Sequence, residues 1–360
     1  MIGLLAAFFS SFIATLLIIR FQHLHSHISG DSDLSGPQKF HKISVPRIGG
    51  ISIATGIFAA TLFRLQSNPG SIIETTLLVC AIPTFAIGLT EDLTKKVGVK
   101  TRLLFTAIAA AMAAIFLGAQ ITRLDIPGVD YLLALPGIAL IFTIFAVTGL
   151  ANAYNIIDGF NGLASMVGII TLMGLTYVSY AVGDPLMMYL SLIMASSILG
   201  FFLWNYPRGL IFLGDGGAYL IGFWIAIITV ILVSRHDNIS PWFALLINAY
   251  PILETTFTIY RRKVHQGKSP GQPDGIHFHT LIYRRILNPI CNGHKDDLFT
   301  ANAKTSPYLW ILTAMAIVPA ILYWQSSNVL IACSIVFTAS YIWLYRRIVT
   351  FKTPGWIHPY

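Results

Sequence analysis

Eleven apolar stretches, each long enough to cross a bilayer, divide the 360-residue chain and leave it few ways to fold. A hydrocarbon core about 30 Å thick requires roughly 20 apolar residues per helix. The stretches run approximately 2 to 19, 49 to 65, 71 to 89, 103 to 121, 131 to 148, 163 to 182, 186 to 204, 210 to 233, 241 to 259, 307 to 323 and 328 to 345. Backbone groups in lipid must be satisfied internally, so runs of this length predict helices. The expected fold is all-α: a polytopic integral membrane protein of about 11 transmembrane helices, forming one domain over residues 1–360. Charged residues make up only 11% of the chain, against about 25% in soluble domains. Residues 1–19 have no basic n-region and are followed by Arg20, which reads as a retained first span and not a cleaved signal peptide. Cys80 and Cys333 lie in apolar runs and Cys291 in a hydrophilic loop, so no disulfide framework is readable. The polar stretch Asn152 to Asn161 reads equally as helix or loop.

Assigning the loops alternately to two sides divides the 23 basic residues into 20 and three. The poor side holds Arg64, Arg123 and Arg235; the rich side includes Lys39, Lys42, Arg47, Lys95, Arg102, Arg208, the Arg261 to Lys304 loop with Lys268, and Arg346 to Lys352. The positive-inside rule makes the rich side cytoplasmic, with an external N terminus and a cytoplasmic C terminus. The cytoplasmic loops are then about 20–48, 90–102, 149–162, 205–209 and 260–306. Glu91, Asp92, Asp158, Asp215 and Asp274 fall on that same face, and Glu254 about a turn and a half inside the ninth span.

Five motifs occupy this face. Pro46-Arg47-Ile48-Gly49-Gly50 enters the second span, where Arg47 suits either a juxtamembrane anchor or a phosphate ligand. Glu91, Asp92 and Lys95 close the third span. Glu91 and Lys95 have the spacing of a solvated helix pair, while adjacent acids followed by lysine also suit a magnesium–phosphate site. Asn152, Asn155 and Asp158 recur at i, i+3 and i+6, followed by Gly159, a polar stripe that interhelical hydrogen bonds explain less well than a ligand does. Phe212-Leu213-Gly214-Asp215 opens the eighth span, where free amides at a helix start can bind phosphate and Asp215 can cap the helix or hold magnesium. His277 and His279, with Arg284 close behind, lie in the long loop among basic residues, a better match to a diphosphate cradle or a lipid-surface patch than to zinc. His23, His25 and His27 read as a polar juxtamembrane segment.

In order and placement, from Pro46 to Arg285, these motifs resemble the polyprenyl-phosphate N-acetylhexosamine-1-phosphate transferase family, glycosyltransferase family 4. The undecaprenyl-phosphate N-acetylglucosamine-1-phosphate transferase branch is the nearer match. The family's Asp-Asp pair falls on Glu91 and Asp92, its Asn-x-x-Asn-x-x-Asp-Gly motif on Asn152, Asn155, Asp158 and Gly159, its aromatic-Leu-Gly-Asp motif on Phe212 to Asp215, and its His motif on His277 and His279. Glu91 replaces the first Asp, Ala218 stands where Ser is common, and Thr280 replaces a third His; the last departure argues against the peptidoglycan branch, phospho-N-acetylmuramoyl-pentapeptide transferase.

The resemblance implies a sugar-1-phosphate transferase of the bacterial inner membrane, active at its cytoplasmic face. It would take a UDP-N-acetylamino sugar, first of all UDP-N-acetylglucosamine, and undecaprenyl phosphate, release UMP, and start an O-antigen or capsule type of polysaccharide. It further implies Mg2+, or Mn2+ in its place, on Asp215 with Asp92 as a second candidate ligand; catalytic roles for Asp92, Glu91, Asp215 and Lys95; and substrate contacts from Arg47, Asn152, Asn155, Asp158, Gly159, Phe212, Gly214, His277, His279 and Arg284. A monomer and a homodimer are both compatible with it. The net charge of +8 then complements phosphorylated substrates and membrane lipid, with no nucleic acid involved. A transporter would instead place polar or broken segments at the midplane and show a repeat.

Overall fold

A computed structural model describes residues 1–30, 45–67, 72–267, 269, 274–287 and 295–351. Lys39, Lys42, Lys268, Cys291 and Lys352 lie outside the described residues. Among the described residues the chain is helical, with α1 (Ile2–Arg20), α2 (Gln22–Ser29), α3 (Gly49–Ser67), α4 (Ile72–Thr94), α5 (Val99–Phe116), α6 (Val129–Leu133), α7 (Pro136–Ile157), α8 (Leu163–Ala181), α9 (Pro185–Asn205), α10 (Gly214–Arg235), α11 (Pro241–Ile247), α12 (Ala249–Tyr260), α13 (Phe278–Ile282), α14 (Lys295–Leu322) and α15 (Ser327–Val349).

Nine of these, α1, α4, α5, α7, α8, α9, α10, α14 and α15, are long and apolar enough to cross a membrane. The eleven expected spans are therefore reduced to nine plus two special cases. One is α3, a helix of 19 residues whose last turns carry Arg64 and Gln66 and dilute its apolar character. The other is the stretch 241 to 259, which is two helices broken at Asn248. Pro251, at the third position of α12, has no N–H with which to continue the ladder from α11. The ambiguous polar stretch is also resolved: α7 continues to Ile157, Asp158 follows as its C-cap, and Gly162, in the left-handed region with φ +72°, starts α8.

Helix α10 is the hub of the bundle. Its sequence is apolar on every side, which suits a helix buried on every side, and 94% of its spanning window is buried. It packs against α3, α4, α7, α8 and α9. At the periphery α1 shows the opposite pattern. Gly3, Ala7, Ser11 and Thr15, four residues apart, are buried against α3 and α9, while Leu5, Phe9 and Ile13 are exposed. Small residues at this spacing let helices in lipid approach closely. Because successive spans alternate in direction, the end of α4 and the starts of α3, α5 and α10 meet at one face with the α7–α8 turn. That face carries the motifs.

Candidate functional site

The start of α10 is locked into position by backbone contacts. Pro46 to Gly50 runs beside Phe212 and Leu213: Phe212 N–H donates to the Pro46 carbonyl (2.8 Å), Gly49 N–H to Phe212 O (3.0 Å) and Gly50 N–H to Leu213 O (2.9 Å). Two glycines make this approach possible. A Cβ at Gly50 would lie 2.4 Å from Gly217 N, and one at Gly214, whose φ is +75°, would lie 2.0 Å from the Arg47 carbonyl. From the other side the end of α4 delivers Asp92. Its Oδ1 accepts the Asp215 N–H (2.8 Å) and its Oδ2 the Gly216 N–H (2.9 Å). The first amides of a helix lack intrahelical partners and carry positive partial charge, so the buried Asp92 carboxylate caps α10 from a different helix.

Asp215 is thereby turned toward a charged cluster. Arg102, from the first turn of α5, pairs with its Oδ2, and Asn155 Nδ2 donates to its Oδ1 at 3.0 Å. Arg47 Nη2 sits 3.7 Å from both Asp92 Oδ1 and Asp215 Oδ1. Asp158 faces the same guanidinium: burial pushes its carboxyl up to about 7, and Arg47 opposes that rise. Asn152 Oδ1 accepts the Tyr219 hydroxyl at 2.9 Å, tying α7 to α10. Three carboxylates from separate elements thus share two guanidinium groups.

The histidine turn forms a second half. Glu254, buried in α12, accepts at Oε1 from His277 Nδ1 (3.1 Å) and from Phe278 N–H (3.0 Å), and at Oε2 from the Tyr341 hydroxyl (2.9 Å). Arg261 pairs with Asp274, and Arg262 lies 3.7 Å from the same carboxylate. The His277 and His279 rings stack with centroids 5.1 Å apart. His279 closes on the first half at Gly159, where a Cβ would be 2.9 Å from its Nε2. Burial pushes the His279 imidazolium down to about 3, so the ring is neutral and offers hydrogen bonding, leaving positive charge to the arginines around it.

The remaining sequence-predicted residues lie around this core. Glu91 Oε2 accepts Val97 N–H at 2.6 Å, closing the turn after α4. Lys95, with φ +55°, is exposed and donates to the Gly30 carbonyl at 3.3 Å. Phe212 is half-buried beside Pro46, and Arg284 is exposed in the π-turn Tyr283–Leu287. Sequence reasoning missed Arg102 and Glu254 as site residues. A lone arginine at the start of a span looks like any positive-inside residue, and a buried acid one turn and a half inside a span carries no local sign of its partner 23 residues on.

Magnesium takes hard oxygen ligands, often one or two carboxylates completed by substrate phosphates. Among the described residues no three His, Cys, Asp or Glu side chains are grouped to form a cage for a metal. The cluster suits the other arrangement. Asp92 is committed to two backbone amides at the start of α10, whereas Asp215 meets only side chains, which a ligand can displace, so Asp215 is the carboxylate better suited to share a divalent cation with a ligand's phosphates.

Comparison with known proteins points to one kind of enzyme. The model of glycosyl transferase family 4 matches residues 75–233, from Thr75 in α4 to Val233 near the end of α10. A Bacillus subtilis protein named as a probable undecaprenyl-phosphate N-acetylglucosaminyl 1-phosphate transferase is 28% identical over 78% of this chain and 77% of its own length. Two undecaprenyl-phosphate α-N-acetylglucosaminyl 1-phosphate transferases are similar at the same 28% identity. That of Thermotoga maritima covers 71% of this chain and 73% of its own length, and that of Escherichia coli K12 covers 76% and 75%. The chain thus matches the glycosyl transferase family 4 model over residues 75–233, has the helical membrane fold expected of it, and is an enzyme of the sugar-1-phosphate transferase kind.

Proposed function

We propose that this enzyme transfers N-acetylglucosamine 1-phosphate from UDP-N-acetylglucosamine to undecaprenyl phosphate. UMP leaves, and the lipid diphosphate sugar begins a surface polysaccharide of the O-antigen or capsule type. The carrying observation is the convergence of Arg47, Arg102, Asp92, Asp158 and Asp215 at one end of the bundle, where a cytoplasmic nucleotide and a lipid headgroup can meet. The names of the relatives support the two substrates. This end is the cytoplasmic face of the inner membrane by the charge asymmetry of the loops.

In the reaction an oxygen of the lipid phosphate attacks the sugar-bearing phosphorus, a new P–O bond forms, and the bond to the bridging oxygen breaks with its electron pair leaving on UMP. A phosphate monoester has a second pKa of about 6, so the nucleophile is largely dianionic near neutrality and needs little help from a base. The difficulty is bringing two anions together, which positioning and electrostatic stabilisation solve. Arg47 and Arg102 supply fixed positive charge; Asn152, Asn155 and Asp158 offer hydrogen bonds to nucleotide or sugar; and Phe212 offers a ring for uracil. Mg2+ held by Asp215 would neutralise phosphate oxygens. Lys95 and Arg284 are exposed and would add positive charge for the anionic substrates, and Glu91 closes the turn before Lys96 and Val97. With undecaprenyl phosphate and magnesium present, purified protein should release UMP from UDP-N-acetylglucosamine faster than from other UDP-sugars, and Asp215→Ala should lower the rate by on the order of 1,000-fold. Absence of UMP release across a panel of UDP-sugars would overturn the reading.

A further inference from the structure

We propose that Glu254 is a positioning residue for the transfer reaction, holding His277 in one tautomer and through it setting His279 over the Asp158–Gly159 turn. The proposal rests on the transferase reading given above. Glu254 is 1% exposed, in the half-span that begins after the break at Asn248. A carboxylate so placed is costly unless hydrogen-bonded. It has three donors: His277 Nδ1 and the Phe278 amide on Oε1, and the Tyr341 hydroxyl of α15 on Oε2. Its bonding is complete without a ligand, and it is aimed at the histidine turn rather than at the Asp92–Asp158–Asp215 cluster.

The consequences pass from ring to ring. A carboxylate at Nδ1 makes that nitrogen the donor, which fixes the tautomer and orientation of an imidazole as outer-shell carboxylates do for other functional histidines. Thr258 Oγ1, 3.2 Å from the same nitrogen, reinforces this side of the ring. His277 stacks on His279 with the two planes 17° apart, so the orientation of one dictates that of the other. Phe160 packs edge-on against His279 from the far side, with centroids 5.6 Å apart. The ring so held is 3% exposed, with Nε2 against Gly159 and Nδ1 lacking a hydrogen-bond partner among the described residues. An unpaired buried polar atom costs free energy, and it belongs to the ring whose Nε2 edge faces the turn that carries Asp158. A phosphate or sugar oxygen of the substrate is the partner that would complete it. Glu254, through His277, holds the ring in this position and ties α12 and α15 to the turn.

The test compares kcat and KM for UMP release by wild type, Glu254→Gln, His277→Ala and the double variant, with thermal unfolding in detergent followed in parallel. Glutamine retains the shape but removes the negative charge and leaves one acceptor oxygen in place of two, so His277, Phe278 and Tyr341 can no longer all donate to it. The expected result is a fall in kcat of about 10- to 100-fold for Glu254→Gln, an unchanged KM for undecaprenyl phosphate, and a double variant no slower than His277→Ala alone. Wild-type kcat in a folded Glu254→Gln variant would overturn the proposal, as would a double variant whose loss is the product of the two single losses. Should Glu254→Gln fail to fold, Glu254→Asp, which keeps the charge but withdraws the acceptor, should show the same selective loss of kcat, and full kcat there would be equally fatal. Wild-type protein inactive on every UDP-sugar would instead refute the transferase reading itself.

Discussion

Both ends of the bundle bury acids beside arginines, yet they use them differently. At the end away from the motifs the acids secure helix starts and loops. Glu74 pairs with Arg64 across the α3–α4 connection, Asp125 pairs with Arg123 two residues away, and Asp184 caps the helix that begins at the next residue. Arg123 then donates to the Asp237 and Ile239 carbonyls, fastening one loop to another. At the motif end Asp92 is bonded to amides 123 and 124 residues further on, and Asp215 to an arginine 113 residues earlier. Acids that satisfy local chain are fasteners. Acids gathered from three separate elements around shared arginines have the arrangement of a site that a ligand would complete.

Asp92 offers the sharpest way to break this division, because it belongs to the site yet also works as a fastener. Asp92→Asn leaves one oxygen to accept an amide and turns an NH2 group toward the other. The loss of a cap and of a charge at a helix start should lower stability by about 1–2 kcal/mol, and the resulting shift of Asp215 should slow UMP release on the order of 100-fold. The two losses should appear together. A variant with wild-type thermal unfolding and abolished activity would show that Asp92 acts as a proton acceptor and not as the anchor of α10.

Asp158 should respond in the opposite sense. Burial pushes its carboxyl up to about 7 in the folded protein, against about 3.9 in an unfolded chain. Between these values the native state binds more protons than the unfolded one, so stability falls as pH rises through that window. Asp158→Asn removes the penalty. Its melting temperature should exceed that of wild type by about 2 °C at pH 8 and match it at pH 4, while its UMP release falls. A difference independent of pH would mean that the carboxyl is not held against its own ionisation, and the site would lose one of its marks.

Much of this contrast was legible in the sequence. Apolar runs of about 20 residues report their helices directly, since lipid permits little else, and alternating the loops put Asp92, Asp158 and Asp215 on one face beside Arg47. What stayed hidden depends on which backbone meets which side chain. Nothing near Asp92 shows that its oxygens reach the amides of residues 215 and 216, and nothing near His277 points to Glu254. The break at Asn248 was hidden too, because its apolar flanks read as one continuous span. Arg102 looked like one basic residue among 20 until Asp215 was beside it.

The smallest effect is expected at Asp184, the control for the other end. Its Oδ1 accepts from Leu186 N–H at 3.1 Å and Met187 N–H at 3.0 Å, and its Oδ2 lies 3.2 Å from His236 Nε2 and 3.8 Å from Arg235. Asp184→Ala should therefore cost about 1 kcal/mol, the usual value of an N-cap, and Asp184→Asn roughly half of that because the capping oxygen remains while the charge is lost. Turnover per folded molecule should be unchanged in both, since the residue sits at the opposite end of α9 and α10 from the carboxylate cluster. Measuring UMP release against the folded fraction decides the point. If Asp184→Ala slowed turnover beyond its loss of folded protein, the two ends of the bundle would be energetically coupled through α10, and the separation between fasteners and site would fail.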